Sequence, residues 1–446
     1  MEKKIVDEKK VDINRIIAAY DFCLRRLIED KKFIVRDFIA FMEQNFSAAG
    51  YRTPPKVGEQ QNILIIHDAG IGDFVLHSGA IREIRRLYPT AHITLVVNSG
   101  SVPLAESCPY IDKIVTFENG QPDFAKMFQS MIRMATKILT RRIDICFAFV
   151  HRAWTPFLVY MSGARIRIAH NVKEIDDAYL FSRKNPLLQS LDFFATDFVP
   201  MFINGSHMVD ANFSPLDTLM KIPVANRELE VWYTPLDLAV AKEFLKTARQ
   251  PIYALSMGGI EFMKHYPPEL YAELLKMILA EESTATFVIV GGGKADLNSA
   301  QILRKTLGEE IFSTNIIDLT NRITFRQTAA ILSLCDMYIG NDTGAMHIAA
   351  ACKCPVLEPN CFAADLPKNN LDYVRLFSPY RVPSVVVQPK TALDGCKVTE
   401  PYDSMGCRVN KPHCITQIAP QTLFNGYKLL KERIEREIIT PLYVSL

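Results

Sequence analysis

The sequence predicts an α/β protein built from two Rossmann-like, doubly wound halves facing one cleft. Three observations lead there. Gly340-Asn341-Asp342-Thr343-Gly344-Ala345-Met346-His347 stands between an apolar run, Met337-Tyr338-Ile339, and the helix formers Ile348-Ala349-Ala350-Ala351, with apolar Pro355-Val356-Leu357 beyond. That order reads as strand, polar turn, helix, strand, the βαβ unit of a parallel sheet. A second junction of the same kind lies near the start. Ile63-Leu64-Ile65-Ile66 runs through His67-Asp68-Ala69-Gly70-Ile71-Gly72-Asp73 into a helical pattern with Ile81, Ile84 and Tyr88 on one face. Finally, 446 residues exceed the usual size of a single core, so two domains are expected.

Residues 1–55 read as a helical extension. Ile13, Ile16, Ile17 and Tyr20 share one helical face, and Ile34, Phe38, Phe41 and Met42 form a second amphipathic stretch. Packing on the main body is its plainest use; membrane contact and self-association stay open beside it. Tyr51-Arg52-Thr53-Pro54-Pro55 and the polar Gly58-Glu59-Gln60-Gln61 then break the chain before the first strand. Within residues 60–230, Ile93–Val97, Ile114–Phe117 and Ile143–Phe147 are further strands, while Tyr179 to Pro223 loses the alternation. A second series fills residues 235–420. Its strands are Ile252–Leu255, Thr286–Val290, Met337–Ile339 and Val356–Leu357, and its helices include Pro268–Ala280 and Arg326–Cys335. Residues 421–446 open with a last helical stretch, Pro420 to Glu437.

Composition narrows the function. With 49% hydrophobic and 22% charged residues the chain is globular rather than disordered. A net charge of +2 with no basic block argues against nucleic acid. No apolar run approaches the ~20 residues of a membrane span, and Met1-Glu2-Lys3-Lys4 precedes no apolar leader, so a cytoplasmic location is expected. Ten cysteines, Cys146, Cys335 and Cys352 among them, sit mostly in apolar runs and read as buried thiols.

An Asp-Thr-Gly turn opening a helix gathers backbone N–H groups around one spot, which suits phosphate as well as an ordinary N-cap. Gly70-Ile71-Gly72 fails as a dinucleotide fingerprint, since Val75 occupies the third glycine position and Asn98, not an acid, ends the next strand. Gly291-Gly292-Gly293-Lys294 follows a clean strand but lacks the spacing and hydroxyl of a P-loop, leaving a tight turn or backbone room for a nucleotide. Asp73 at a helix start is a dipole-compatible cap unless chemistry claims it. Asp68 and His67 are weaker candidates. No Asp-x-Asp triplet of the kind that binds metal with nucleotide-sugars occurs.

The stretch from Ile63 to Val97, with its Gly-Asp turn and Tyr88-Pro89-Thr90-Ala91, resembles the N-terminal signature of glycosyltransferase family nine, the ADP-heptose:lipopolysaccharide heptosyltransferase family. Asp342-Thr343-Gly344 through His347, Ala350 and Pro355 resembles its C-terminal signature. The resemblance spans roughly residues 60 to 425. It implies the GT-B fold, with an acceptor half (60–230), a donor half (235–420) and a closing helix that packs back across the cleft.

By the same resemblance Asp73 is the general base. Gly72 and His207, in a His-containing segment before the crossover, lie on the acceptor side. Lys264, Gly291, Gly292, Ile323, Asp342, Thr343, Gly344 and His347 lie on the donor side. Lys264 sits in Phe262-Met263-Lys264-His265-Tyr266-Pro267, similar to the family's lysine-plus-aromatic-proline motif, and would stabilise a leaving diphosphate. Relatives carry four cysteines where this chain has Cys396, Cys407 and Cys414. Thr399 replaces one ligand, and three thiols fall short of a closed zinc site. The implied activity is inverting transfer of a sugar, heptose by family, from an ADP-sugar to a surface-glycan or lipopolysaccharide-type acceptor, without a cofactor. It would take place in the cytoplasm or at the inner face of its membrane. A catalytically silent sugar-nucleotide-binding scaffold is the alternative, and retention of Asp73, Lys264 and Asp342 together speaks against it.

Overall fold

The computed structural model describes residues 61–67, 69–117, 137–138, 143–149, 158–159, 162–171, 195–200, 206–366, 372–394 and 411–445. Asp68, Cys396, Cys407 and the expected N-terminal helices lie outside them. Along the chain come β1 (Asn62–His67), α1 (Ile71–Leu87), β2 (His92–Asn98), α2 (Val102–Ala105), β3 (Lys113–Phe117), β4 (Ile145–Ala148), β5 (Ile166–Asn171), β6 (Asp197–Pro200) and α3 (Met208–Ser214). The second half holds α4 (Pro235–Phe244), β7 (Ile252–Ser256), α5 (Pro268–Glu281), β8 (Thr286–Ile289), α6 (Lys294–Leu307), α7 (Glu309–Asn315), β9 (Ile316–Asp318), α8 (Phe325–Leu332), β10 (Met337–Gly340), α9 (Gly344–Ala351) and β11 (Val356–Pro359). It ends with α10 (Tyr373–Phe377), β12 (Ser384–Val387), α11 (Pro420–Glu435) and β13 (Pro441–Val444).

The strands form two parallel sheets, in the orders β3-β2-β1-β4-β5-β6 and β13-β12-β11-β10-β7-β8-β9. β1 is central and covered on both faces, which is why Ile63, Leu64, Ile65 and Ile66 are all apolar and fully buried. Strand order reverses between β1 and β4 in the first sheet and between β10 and β7 in the second. Crevices at such switch points, outside the carboxyl ends of the strands, are where α/β sheets receive ligands.

One apolar core runs through both halves. It joins Ile65, Phe74 and Ile81 of the first sheet and α1 to Met346, Ile348 and Ala349 of α9, and takes in Leu376, Tyr380 and Val382 from the end of the second half. Ion pairs tie the same boundary. Glu228, on the strap crossing between the halves, pairs with Lys353 and, at 3.0 Å, with Arg381.

Two expectations need correction. The closing helix α11 does not lie back across the cleft; it packs on the second sheet. A Cβ on Gly426 would meet Val387 at 3.0 Å and Leu357 at 3.2 Å, so the helix sits directly against the sheet, with Leu423, Tyr427 and Leu430 buried under it. The chain then adds β13 as the edge strand of that sheet, paired with β12. The stretch that loses alternation also contains structure, namely β6 and α3. Among the described residues no helix is long and apolar enough to cross a membrane.

α1 presses closely on the strap. A Cβ at Gly79 would stand 2.7 Å from the Glu228 carbonyl oxygen and 2.9 Å from the Phe213 ring. Gly79→Ala would gain up to ~1 kcal/mol of helix propensity, but the backbone carbonyl cannot swing aside, and overpacking of this kind costs about 1–3 kcal/mol. Urea denaturation of the variant should therefore show a net loss of stability. A midpoint equal to or above the parent's would show that the strap yields freely.

Candidate active site

β1 delivers the chain through the Gly70 turn into α1, and Asp73 occupies the third helical position. Its Oδ2 accepts the Gly70 N–H at 3.2 Å, so Asp73 does cap the helix. The side chain nevertheless stays half-buried at the carboxyl edge of the first sheet, held in one orientation by that bond. One turn on, His77 packs its ring nitrogens 2.5 Å from the Asp73 carbonyl and 3.2 Å from that of Phe149.

The two halves meet helix end to helix end. A Cβ on Gly72 would lie 2.8 Å from His347 Cδ2 and 3.4 Å from Gly344 Cα, and one on Gly344 would lie 3.3 Å from the Gly72 nitrogen. Glycine at both positions is what allows the first turns of α1 and α9 to touch. Each helix start carries partial positive charge, so two facing starts favour an anion beside them.

On the second half, Lys264 follows β7 and Asp342 follows β10. Lys264 Nζ stands 2.8 Å from Glu261 and 2.9 Å from Asp342. Burial works against its charge, but Asp342 and Glu261 together outweigh that and hold the ammonium above its ordinary range. Asn341, fully buried, locks this turn in place. Its Oδ1 accepts from the Tyr271 hydroxyl at 2.9 Å and the Tyr266 N–H at 3.2 Å, while its Nδ2 donates to the carbonyls of Met257 at 2.6 Å and Gly258 at 3.2 Å. Gly259, at φ 140°, packs against Thr343, where a Cβ would come within 2.9 Å of the methyl. His347 is buried on the first turn of α9, its Nε2 3.9 Å from Asp342.

Three helix starts could take a phosphate, and the structure separates them. The α6 start is closed from within: Gly292 N–H donates to Asp296 at 3.1 Å and Gly293 N–H to Asn321 at 2.6 Å. Gly291 and Gly292 thus offer backbone room rather than amide donors. The α1 start is capped by Asp73. Thr343, the N-cap of α9, makes no side-chain cap bond. The Met346 and His347 N–H groups donate to the Thr343 carbonyl at 3.0 and 3.3 Å, while the Thr343 side chain caps none of the first turn of α9, and the Asp342 that precedes it holds Lys264 nearby.

Ile323 turns into a small apolar cluster with Val290, Leu319 and Ala330. Asn321 of the same loop is the residue that meets the glycine turn. His207 is committed structurally: its Nδ1 accepts the Val209 N–H at 3.1 Å, and its Nε2 donates to the Ser378 carbonyl at 2.7 Å. It therefore latches α3 to the second half beside the crevice. Cys414 accepts from the Leu393 N–H at 3.4 Å. Asn341, Glu261, Asp296, Asn321 and the buried Glu358 escape a reading of the sequence. Only Asn341 sits in a motif, and nothing in its spacing announces four hydrogen bonds.

Residues 197–358 match the family model of glycosyltransferase family 9 (heptosyltransferase). Lipooligosaccharide heptosyltransferase 2 of Haemophilus ducreyi is 24% identical over 298 residues, 66% of this chain and 80% of the relative. Among solved structures, the glycosyl transferase family 9 from Veillonella parvula superposes with a TM-score of 0.65 at 17% identity, covering 85% of this chain and 100% of that one. The Escherichia coli ADP-heptose LPS heptosyltransferase II superposes at 0.57 with 16% identity, covering 84% and 99%.

Burial pushes His77, His170, His207 and His347 down to about 4. Their unfolded value is about 6.5, so below that pH the unfolded chain binds protons that the folded one refuses, and stability falls as pH drops towards 4. Each such histidine adds to that loss, so denaturant midpoints should fall as the pH is lowered from 7 to 5. Denaturant midpoints that stay constant from pH 7 to pH 5 would show that these rings accept protons in place.

Proposed function

We propose, for a chain that carries a glycosyltransferase family 9 domain on the GT-B fold, that it transfers a heptose from ADP-heptose to a surface-glycan or lipopolysaccharide-type acceptor with inversion at the anomeric carbon. The observation that carries this reading is the uncapped start of α9 beside Lys264, across the Gly72–Gly344 contact from Asp73. It sets an anion site and a proton acceptor on opposite walls of one crevice.

In the proposed reaction the acceptor hydroxyl oxygen attacks the anomeric carbon from the side of the first half. Its proton passes to the Asp73 carboxylate as the new C–O bond forms. The bond to the diphosphate breaks with its electron pair on the leaving oxygen. The first-turn N–H groups of α9 and the Lys264 ammonium meet the charge that builds there. Gly291 and Gly292 leave room for the nucleoside, His347 fills the seam between the halves, and Gly72 and the His207 latch bound the acceptor side. The names of the relatives support the donor and acceptor. Asp73, Lys264 and Asp342 all act electrostatically on His347, and their retention around one histidine supports an enzyme over a silent scaffold.

Asp73→Asn keeps the size and can still accept from Gly70 through its amide oxygen, so the helix start should survive. The variant should bind ADP-heptose and melt like the parent, with transfer reduced by about 10²–10⁴. Lys264→Ala should instead weaken binding of ADP. Full transfer activity in the asparagine variant would reduce Asp73 to a cap, and parental ADP affinity without Lys264 would move the anion site elsewhere.

A further inference from the structure

Glu358 lies on β11 near the carboxyl edge of the second sheet and is 1% exposed. Its Oε1 accepts from the Asn360 amide at 2.5 Å, and Asn360 is fixed in turn by the Phe362 N–H at 2.9 Å. Its Oε2 is buried and meets no hydrogen-bond partner among the described residues. A buried carboxylate with an unmet oxygen would be costly, whereas the acid form places a proton on that side. The groups that face it leave little compensation for a negative charge. Asp342 approaches from the turn after β10 and Lys264 from the turn after β7. Tyr271 of α5, Tyr338 of β10, Tyr443 of β13 and Cys361 of the following turn complete the surroundings. Lys264 is the cation among them, and Glu261 and Asp342 already share it.

Resting on the donor-site reading above, we propose that Glu358 is a positioning residue of that site, held as the neutral acid so that the Lys264–Asp342 pair remains receptive to an anionic diphosphate. One ammonium beside two carboxylates is tolerable when the α9 start adds its partial charge. A third ionised carboxyl at the base of the pair would repel the diphosphate and draw Lys264 inward, away from it. Burial, with the Asp342 charge adding to it, pushes the Glu358 carboxyl up to about 8 although Asn360 and Lys264 pull the other way. The neighbouring thiol of Cys361 and the tyrosines are raised, and so is Lys264.

The test is calorimetric titration of the full chain with ADP-heptose from pH 7 to 9.5, in pairs of buffers with different ionisation enthalpies. The parent should bind with constant Kd up to about pH 8 and then lose up to about tenfold per pH unit, taking up close to one proton per ligand bound. Glu358→Gln keeps the shape and the Asn360 contact. Its Kd should stay flat from pH 7 to 9.5, with neither the alkaline loss nor the proton uptake. A glutamine variant that retains the alkaline loss, or a parent whose Kd stays flat with no proton uptake, overturns the proposal. If the variant fails to fold, the buffer pairs on the parent decide alone. A parent that does not bind ADP-heptose at pH 7 instead refutes the donor-site reading itself.

Discussion

The contact between the starts of α1 and α9 is the constraint on which the rest of this structure hangs. Gly72 and Gly344 bring two helix ends of like partial charge into van der Waals contact, with the His347 ring as the spacer. That arrangement is electrostatically unfavourable in isolation. It persists because the apolar flanks of the same helices are continuous with one core, from Phe74 and Ile81 on α1 to Met346 and Ile348 on α9. Hydrophobic burial holds the halves together, and the polar ends are left facing a crevice that gains by receiving an anion.

The polar groups around that crevice divide into two kinds. Asn341 is saturated, Asp296 and Asn321 close the α6 turn, and the His207 latch uses both ring nitrogens. These residues hold backbone loops at fixed separations. Lys264, Asp342 and Glu358 are the other kind, ionisable and crowded: Lys264 in the turn after β7, Asp342 just after β10, and Glu358 on β11 beside β10. Rigid loops with an unbalanced charge between them are what a site needs when it must grip a diphosphate and release it again.

Much of the fold was legible because both halves are made of short-range signals. Ile63–Ile66, Ile93–Val97, Thr286–Val290 and Met337–Ile339 are apolar runs bounded by turns, and each is a strand. β5 escapes such a reading because its buried residues include Arg167 and His170, one on each face, which bond to the carbonyls of Ala164, Phe149 and Ala211. β6 and β13 are four residues long, and only pairing with β5 and β12 distinguishes them from loops. The site was legible to the extent that its residues open helices: Asp73, Asp342, Thr343 and Gly344 stand at readable strand-to-helix junctions. Glu261 and Glu358 stand at no such junction.

Sequence alone determined the α/β class, the two halves, the two junctions and the family likeness, since each rests on residues close together in the chain whose periodicity and turn chemistry act locally. Tertiary structure decided which helix start stays open to an anion, because Asn321 reaches the α6 turn from the loop after β9 and joins Asp296 of α6 itself there, while Thr343 leaves α9 uncapped. It decided that α11 rests on its own sheet, where Gly426 fits against Leu357 and Val387, rather than across the cleft. It also decided the setting of Glu358, whose burial among Asp342, Lys264 and three tyrosines comes from separate segments of chain. Packing and desolvation are sums over neighbours distant in sequence, and no local pattern encodes such a sum.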